Sequence, residues 1–349
     1  MGPGPGSGTI AVVFPSMPKD DPWDADASRD VARLNPGRPK AGMYGAVPED
    51  EPAEEPPAGD PDSDGEEEFE EIEVVPVRAK LSVAIGGFAA LLALALIIGS
   101  LTTGPDIRLP YAVVLFGVQL LGLLAWTMAL NPPAASVTAG VAGVTGLVGC
   151  YLAATADEAG LTPLLYVTLG GFLVAIVGQT FRAEDRHLIT DSWRTTLLIV
   201  LGVVAYVIPI VLSRQPLGGQ AILVCCTGAG LALLVARLTD AVFPKPRIAA
   251  QVPRGAAGVV LGAMVGTFVT AWLGSQLVLP FTPAKGAVTG LVAAVAAILV
   301  DLAVNFGEAG RRLAGEAPTF WLARHMTGPL GGFALAFAAT YALVHLYLT

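Results

Sequence analysis

Asp301, Asn305 and Glu308 follow one another at spacings of four and three residues inside an apolar stretch, and Arg311 and Arg312 lie just beyond. On an α-helix those spacings bring the three polar side chains onto one face. Carboxylates followed by guanidiniums at a membrane surface are residue types that can hold a divalent cation and a phosphate. Asp301 and Glu308 are therefore candidate ligand or metal contacts, and Arg254, Arg311 and Arg312 are candidate phosphate contacts. The competing reading is an ion-pair cluster that anchors a helix end. No residue is assigned a catalytic role.

The other polar residues point to chemistry less strongly. Arg237 and Asp240 are three residues apart and are expected to pair locally on one helix. His187 and His325 are expected in loops, without Cys or carboxylates at metal-ligand spacing. His345 lies near Tyr341 and Tyr347, where rings gather at a membrane boundary. Cys150, Cys225 and Cys226 sit in apolar runs and read as small buried hydrophobes. Neither a G-x-x-x-x-G-K-[ST] loop nor a G-x-S-x-G elbow occurs.

The elements that carry these residues are membrane spans. The chain is 54% hydrophobic and 14% charged, where a soluble domain is about a quarter charged. Nine apolar runs fall near 80–102, 109–130, 133–155, 161–181, 195–213, 216–236, 255–279, 284–307 and 328–348. Each is about the 20 residues needed to cross a hydrocarbon core. In lipid, such runs are helices, because every backbone group must be paired internally. The expected fold is all-α and polytopic. Gly140, Gly143, Gly146 and Gly149, and again Gly258, Gly262 and Gly266, mark faces for close helix packing. A homodimer through such faces is one expected assembly. An inverted repeat of the kind transporters use is not evident.

Residues 1–77 are of another kind, with 19 acids against 5 bases. They hold too little apolar surface to offset ordering entropy, so a disordered tail is expected ahead of a membrane domain over 78–349. Trp23, Met43 and Tyr44 are its isolated apolar anchors. No cleavable signal segment is visible, because the run 10–14 is too short. If the tail is cytoplasmic, the inner loops hold 12 Lys/Arg and the outer loops only Arg108, Arg214 and Lys285. That places the amino end inside and the carboxy end outside. The cell (plasma) membrane is the expected location. Expected partners are membrane lipids and a cytoplasmic protein that meets the acidic tail; nothing forms a basic groove for nucleic acid.

Several stretches resemble the integral-membrane phosphatidate cytidylyltransferases, or CDP-diacylglycerol synthases. Residues 232–254 (ALLVARLTDAVFPKPRIAAQVPR) resemble that family's helix end and basic loop before Ser-Pro-Lys-Lys-Thr-x-Glu-Gly. Residues 282–302 resemble its approach to Gly-Asp-Leu, ending on Asp301, and Arg311-Arg312 stands where Lys-Arg is expected. Pro329-Leu330-Gly331-Gly332 is similar to Pro-Gly-His-Gly-Gly. The departures remove acids. Gly255-Ala256-Ala257-Gly258-Val259 replaces the segment that holds the family's Glu, Ala317-Pro318 replaces Lys-Asp, and residues 333–337 contain no acid or base. Asp301 alone clearly survives, and its distance from Arg311 looks about three residues too long for the family pattern.

Transfer of a nucleotide to a lipid phosphate gathers negative charge, which needs divalent cations held by more than one carboxylate. The resemblance thus implies the family's fold without its activity. The expected role is a non-catalytic membrane protein that binds or scaffolds near envelope or phospholipid metabolism, with no cofactor. The alternatives are a divergent Mg²⁺-dependent enzyme acting on a lipid phosphate, and a small-solute permease.

Overall fold

The computed structural model describes residues 74–102, 108–132, 134–157, 160–180, 189–316 and 319–348. The tail up to residue 73, together with Arg182, Arg186, His187 and Ala317-Pro318, lies outside the described residues.

Helices fill the described residues: α1 (Ala79–Leu101), α2 (Leu109–Leu130), α3 (Ala135–Thr155), α4 (Thr162–Thr180), α5 (Ile189–Ala205), α6 (Ile208–Ser213), α7 (Gly218–Val242), α8 (Ala256–Gly274), α9 (Pro283–Leu313) and α10 (Trp321–Leu343). A π-helical turn, Val344–Leu348, extends α10. Among the described residues, nine spans are long and apolar enough to cross a membrane. Leu91, Ile98, Val144, Leu169, Val260 and Phe268 are exposed on the outside of the bundle. Water would disfavour such a surface and lipid accepts it.

Local chemistry sets the ends of these helices. Asn131 closes α2 in the left-handed region at φ 41°, and Pro132 follows it. Thr282 opens α9 by accepting from the Lys285 backbone N–H, with Pro283 in the first turn. Arg311 and Arg312 occupy the last turn of α9, where cations offset the helix dipole. Gly315, at φ 70°, then turns the chain away.

Several boundaries differ from the sequence expectation. The fifth span is broken between α5 and α6, because the Pro209 ring excludes the carbonyl four residues earlier. Tyr206 and Val207 instead make tighter backbone bonds to Val203 and Val204, at 3.2 and 2.8 Å. The sixth and eighth spans run on to Val242 and Leu313, since no proline stops either helix and Gly307 is carried inside the second. The last span begins at Trp321, so Pro329 lies inside its helix. A proline interior to a transmembrane helix is tolerated when neighbouring groups compensate.

Helix α7 is central. It packs against α1, α8, α9 and α10, while α3 joins α2, α4 and α5 in a second group. Helix α10 touches both groups through α2, α5 and α7. The glycine faces are used inside the chain. A Cβ on Gly262 would stand 2.4 Å from the Ala232 carbonyl oxygen of α7, and one on Gly266 would stand 2.7 Å from that of Gly228. On α3, a Cβ on Gly146 would meet Val203 of α5 at 2.7 Å. The Gly258-Gly262-Gly266 face is thus packed against α7, whereas on α3 a Cβ on Gly140 would meet nothing within 4 Å.

Candidate functional site

The extensions of α7 and α9 carry charged residues past the apolar part of the bundle, where they meet the α7–α8 loop and the start of α10. The loop bends back through Arg247 and Gly255, which form an antiparallel bridge. The Ile248 N–H donates to the Arg254 carbonyl at 3.2 Å, and the Ala256 N–H donates to that of Pro246 at 2.8 Å. This fold turns Arg254 inward until it is wholly buried. Residues 74–77 run alongside: Val75 donates to the Ala250 carbonyl at 3.1 Å, and its own carbonyl accepts from Arg247.

Asp301 is the hub of the inner cluster. It is fully buried and faces two guanidiniums, Arg237 at 2.5 Å and Arg254 at 3.3 Å. Arg254 also meets Asp240 at 2.9 Å. Asp240 accepts from the Gly255 backbone N–H at 3.0 Å, which ties the loop to α7. The local Arg237–Asp240 pair expected from the sequence is thus replaced by partners on other elements. The reason is burial: both side chains point into the bundle, where Asp301 and Arg254 offer full opposite charges. Burial lowers the Arg254 guanidinium from its ordinary value, while Asp301 raises it, Arg237 lowers it and Asp240 raises it.

Glycines make room for this cluster. A Cβ on Gly258 would stand 2.3 Å from Asp240 Oδ1, and one on Gly328 would stand 2.3 Å from Asp301 Oδ1. Gly258 lies in the first turn of α8. Its lack of a side chain is what lets Asp240 sit against α8.

Glu308 is the hub of a second cluster, two turns further along α9. It accepts from Arg311 at 2.6 Å and from Arg324 at 2.9 Å, and Arg312 lies 3.5 Å away. Arg311 also donates to the Ala129 carbonyl at the end of α2, at 2.7 Å. Asn305 turns back to its own helix and donates to the Asp301 carbonyl at 2.5 Å.

Two hollows adjoin these clusters. The smaller, of about 40 Å³, is bordered by Arg237, Asp301, Asn305, Glu308, Arg312, Arg324 and His325, with Pro253, Val304 and Gly328 completing it. The larger, of about 880 Å³, is an apolar groove between α2, α5, α9 and α10, lined by residues such as Trp126, Leu130, Leu198 and Leu335. Its charged end is formed by Glu308, Arg311 and Arg324.

The candidate residues are therefore brought only partly together. Asp301, Glu308 and Arg312 border the small cavity, Arg311 borders the groove, and Arg254 stands behind Asp301 without reaching either. Sequence reasoning missed Arg324 and His325. It set His325 in a loop, whereas α10 carries it to the cavity wall. The available signal was the absence of any proline between Pro318 and Pro329, which lets a helix begin ahead of the second proline.

As electrostatics, the arrangement is carboxylates surrounded by guanidiniums. Among the described residues, no group of three or more His, Cys, Asp or Glu converges as a metal ligand set. Cys150, Cys225 and Cys226 are buried away from the site. Comparison with family models, with curated proteins and with solved structures found no match.

Proposed function

We propose that this chain is a non-catalytic integral membrane protein with a fold like that of the CDP-diacylglycerol synthases, and that it binds or scaffolds at a phospholipid surface. It resides in the cell membrane with its amino end in the cytoplasm, where the acidic tail meets a protein partner. One observation carries the reading: each carboxylate at the site is held by arginine. Asp301 faces Arg237 and Arg254, Asp240 faces Arg254, and Glu308 faces Arg311, Arg312 and Arg324. A carboxylate must offer free lone pairs to hold Mg²⁺, and these oxygens are already turned toward cations. The apolar groove that ends on Arg311 and Arg324 gives the same site a surface suited to lipid.

The test is turnover by the purified full chain in lipid nanodiscs, supplied with CTP, phosphatidate and Mg²⁺. The expected result is no release of pyrophosphate and no CDP-diacylglycerol above the protein-free background. Turnover that disappears in Asp301→Asn would make the chain an enzyme and end this reading.

A further inference from the structure

The small cavity has an excess of unused donors. Its charged border holds three guanidiniums, those of Arg237, Arg312 and Arg324, against two carboxylates, those of Asp301 and Glu308. Arg237 is only 6% exposed, and its Nε has no hydrogen-bond partner. Arg324 Nε and His325 Nε2 are likewise buried without an acceptor. Buried donors of this kind are rare, because each loses its water without replacement. The residues that carry these atoms border one hollow, where an oxyanion would serve them, while Asp301 Oδ2, which also lacks a hydrogen bond, is already turned toward Arg254 at 3.3 Å.

Size and setting narrow the ligand. A volume of about 40 Å³ is roughly three times what one water needs, which suits a compact tetrahedral anion better than a nucleotide. The border also excludes a metal-first route, since a divalent cation entering alone would meet the excess of guanidiniums. Val304, Glu308 and Arg324 border both the cavity and the apolar groove. A phosphate seated in the cavity would therefore lie beside the groove that suits an attached acyl chain.

We infer that this cavity binds a phosphate monoester or inorganic phosphate without any metal ion, with Arg237, Arg312, Arg324 and His325 as its donors. The inference rests on the binding role proposed above and supplies its ligand chemistry. Two sources share that chemistry, a lipid with a phosphomonoester head and free phosphate.

The experiment is a pair of titrations on the purified full chain in EDTA. One arm follows inorganic phosphate by calorimetry. The other follows binding of phosphatidate from phosphatidylcholine nanodiscs by native mass spectrometry. Saturable binding in either arm is expected, and the arm that responds identifies the source. Arg312→Gln and His325→Gln should each weaken it about tenfold or more, since a charged hydrogen bond is lost. Arg312 is partly exposed and is one of three arginines on Glu308, so its loss leaves the fold standing. Lys245→Gln, an equal charge change on an exposed loop residue outside the cavity border, should leave binding unchanged. Absence of binding in both arms would leave a cavity that holds only water and would overturn the inference. So would binding that requires Mg²⁺, or binding that Arg312→Gln and His325→Gln leave intact. A failure here is separable from failure of the non-catalytic reading, which only turnover can end.

Discussion

At the scale of single residues, Asp301 shows how one charge organises its surroundings. A buried carboxylate with two guanidiniums is stable only while all partners are present. Arg254→Met would leave Asp240 without its guanidinium and Asp301 with one, and should cost about 3–5 kcal/mol, the penalty for breaking a buried pair. The double change Arg254→Met with Asp240→Leu should cost less than the single change, because it removes the stranded acid as well. Thermal unfolding in detergent measures both, and equal losses would show that the pair does not act as a unit. The spacing of Asp301, Asn305 and Glu308 was legible in the sequence, since helical periodicity alone aligns them. Their partners were not. Arg237 reaches across to α9 and Arg254 arrives through a loop with three prolines, and neither contact leaves a mark in local spacing.

At the scale of elements, close packing of α7 and α8 depends on small residues facing each other. Gly262→Ala would push a Cβ to 2.4 Å from the Ala232 carbonyl, a backbone atom that cannot swing away. Overpacking of this kind costs about 1–3 kcal/mol. Gly140, on α3, has nothing within 4 Å of its built Cβ, so Gly140→Ala should leave the melting temperature unchanged or higher. If both variants melt alike, the α7–α8 contact is looser than described. Both positions lie in glycine repeats that look equivalent in the sequence. Only tertiary packing tells them apart, as it tells a helix that continues through Pro329 from one broken before Pro209. The nine spans themselves were legible from length and hydropathy, because lipid permits so few alternatives.

At the scale of the whole molecule, the basic ends of α7, α9 and α10 and the α7–α8 loop lie together, and the proposed orientation sets them in the cytoplasm. Cysteine substitution can test this, because all three native cysteines are buried. Gly219 and Lys245 are exposed at opposite ends of α7. A membrane-impermeant maleimide applied to intact cells should label Gly219→Cys, and should label Lys245→Cys only after lysis. The reverse pattern would invert the topology. The larger claim is that the carboxylates at the basic end serve as counter-ions to arginine. Mn²⁺ binding followed by electron paramagnetic resonance, on the purified chain without added anion, tests it most directly. The account predicts that Mn²⁺ stays free up to millimolar concentration. One Mn²⁺ bound per chain, and lost in Asp301→Asn, would contradict it.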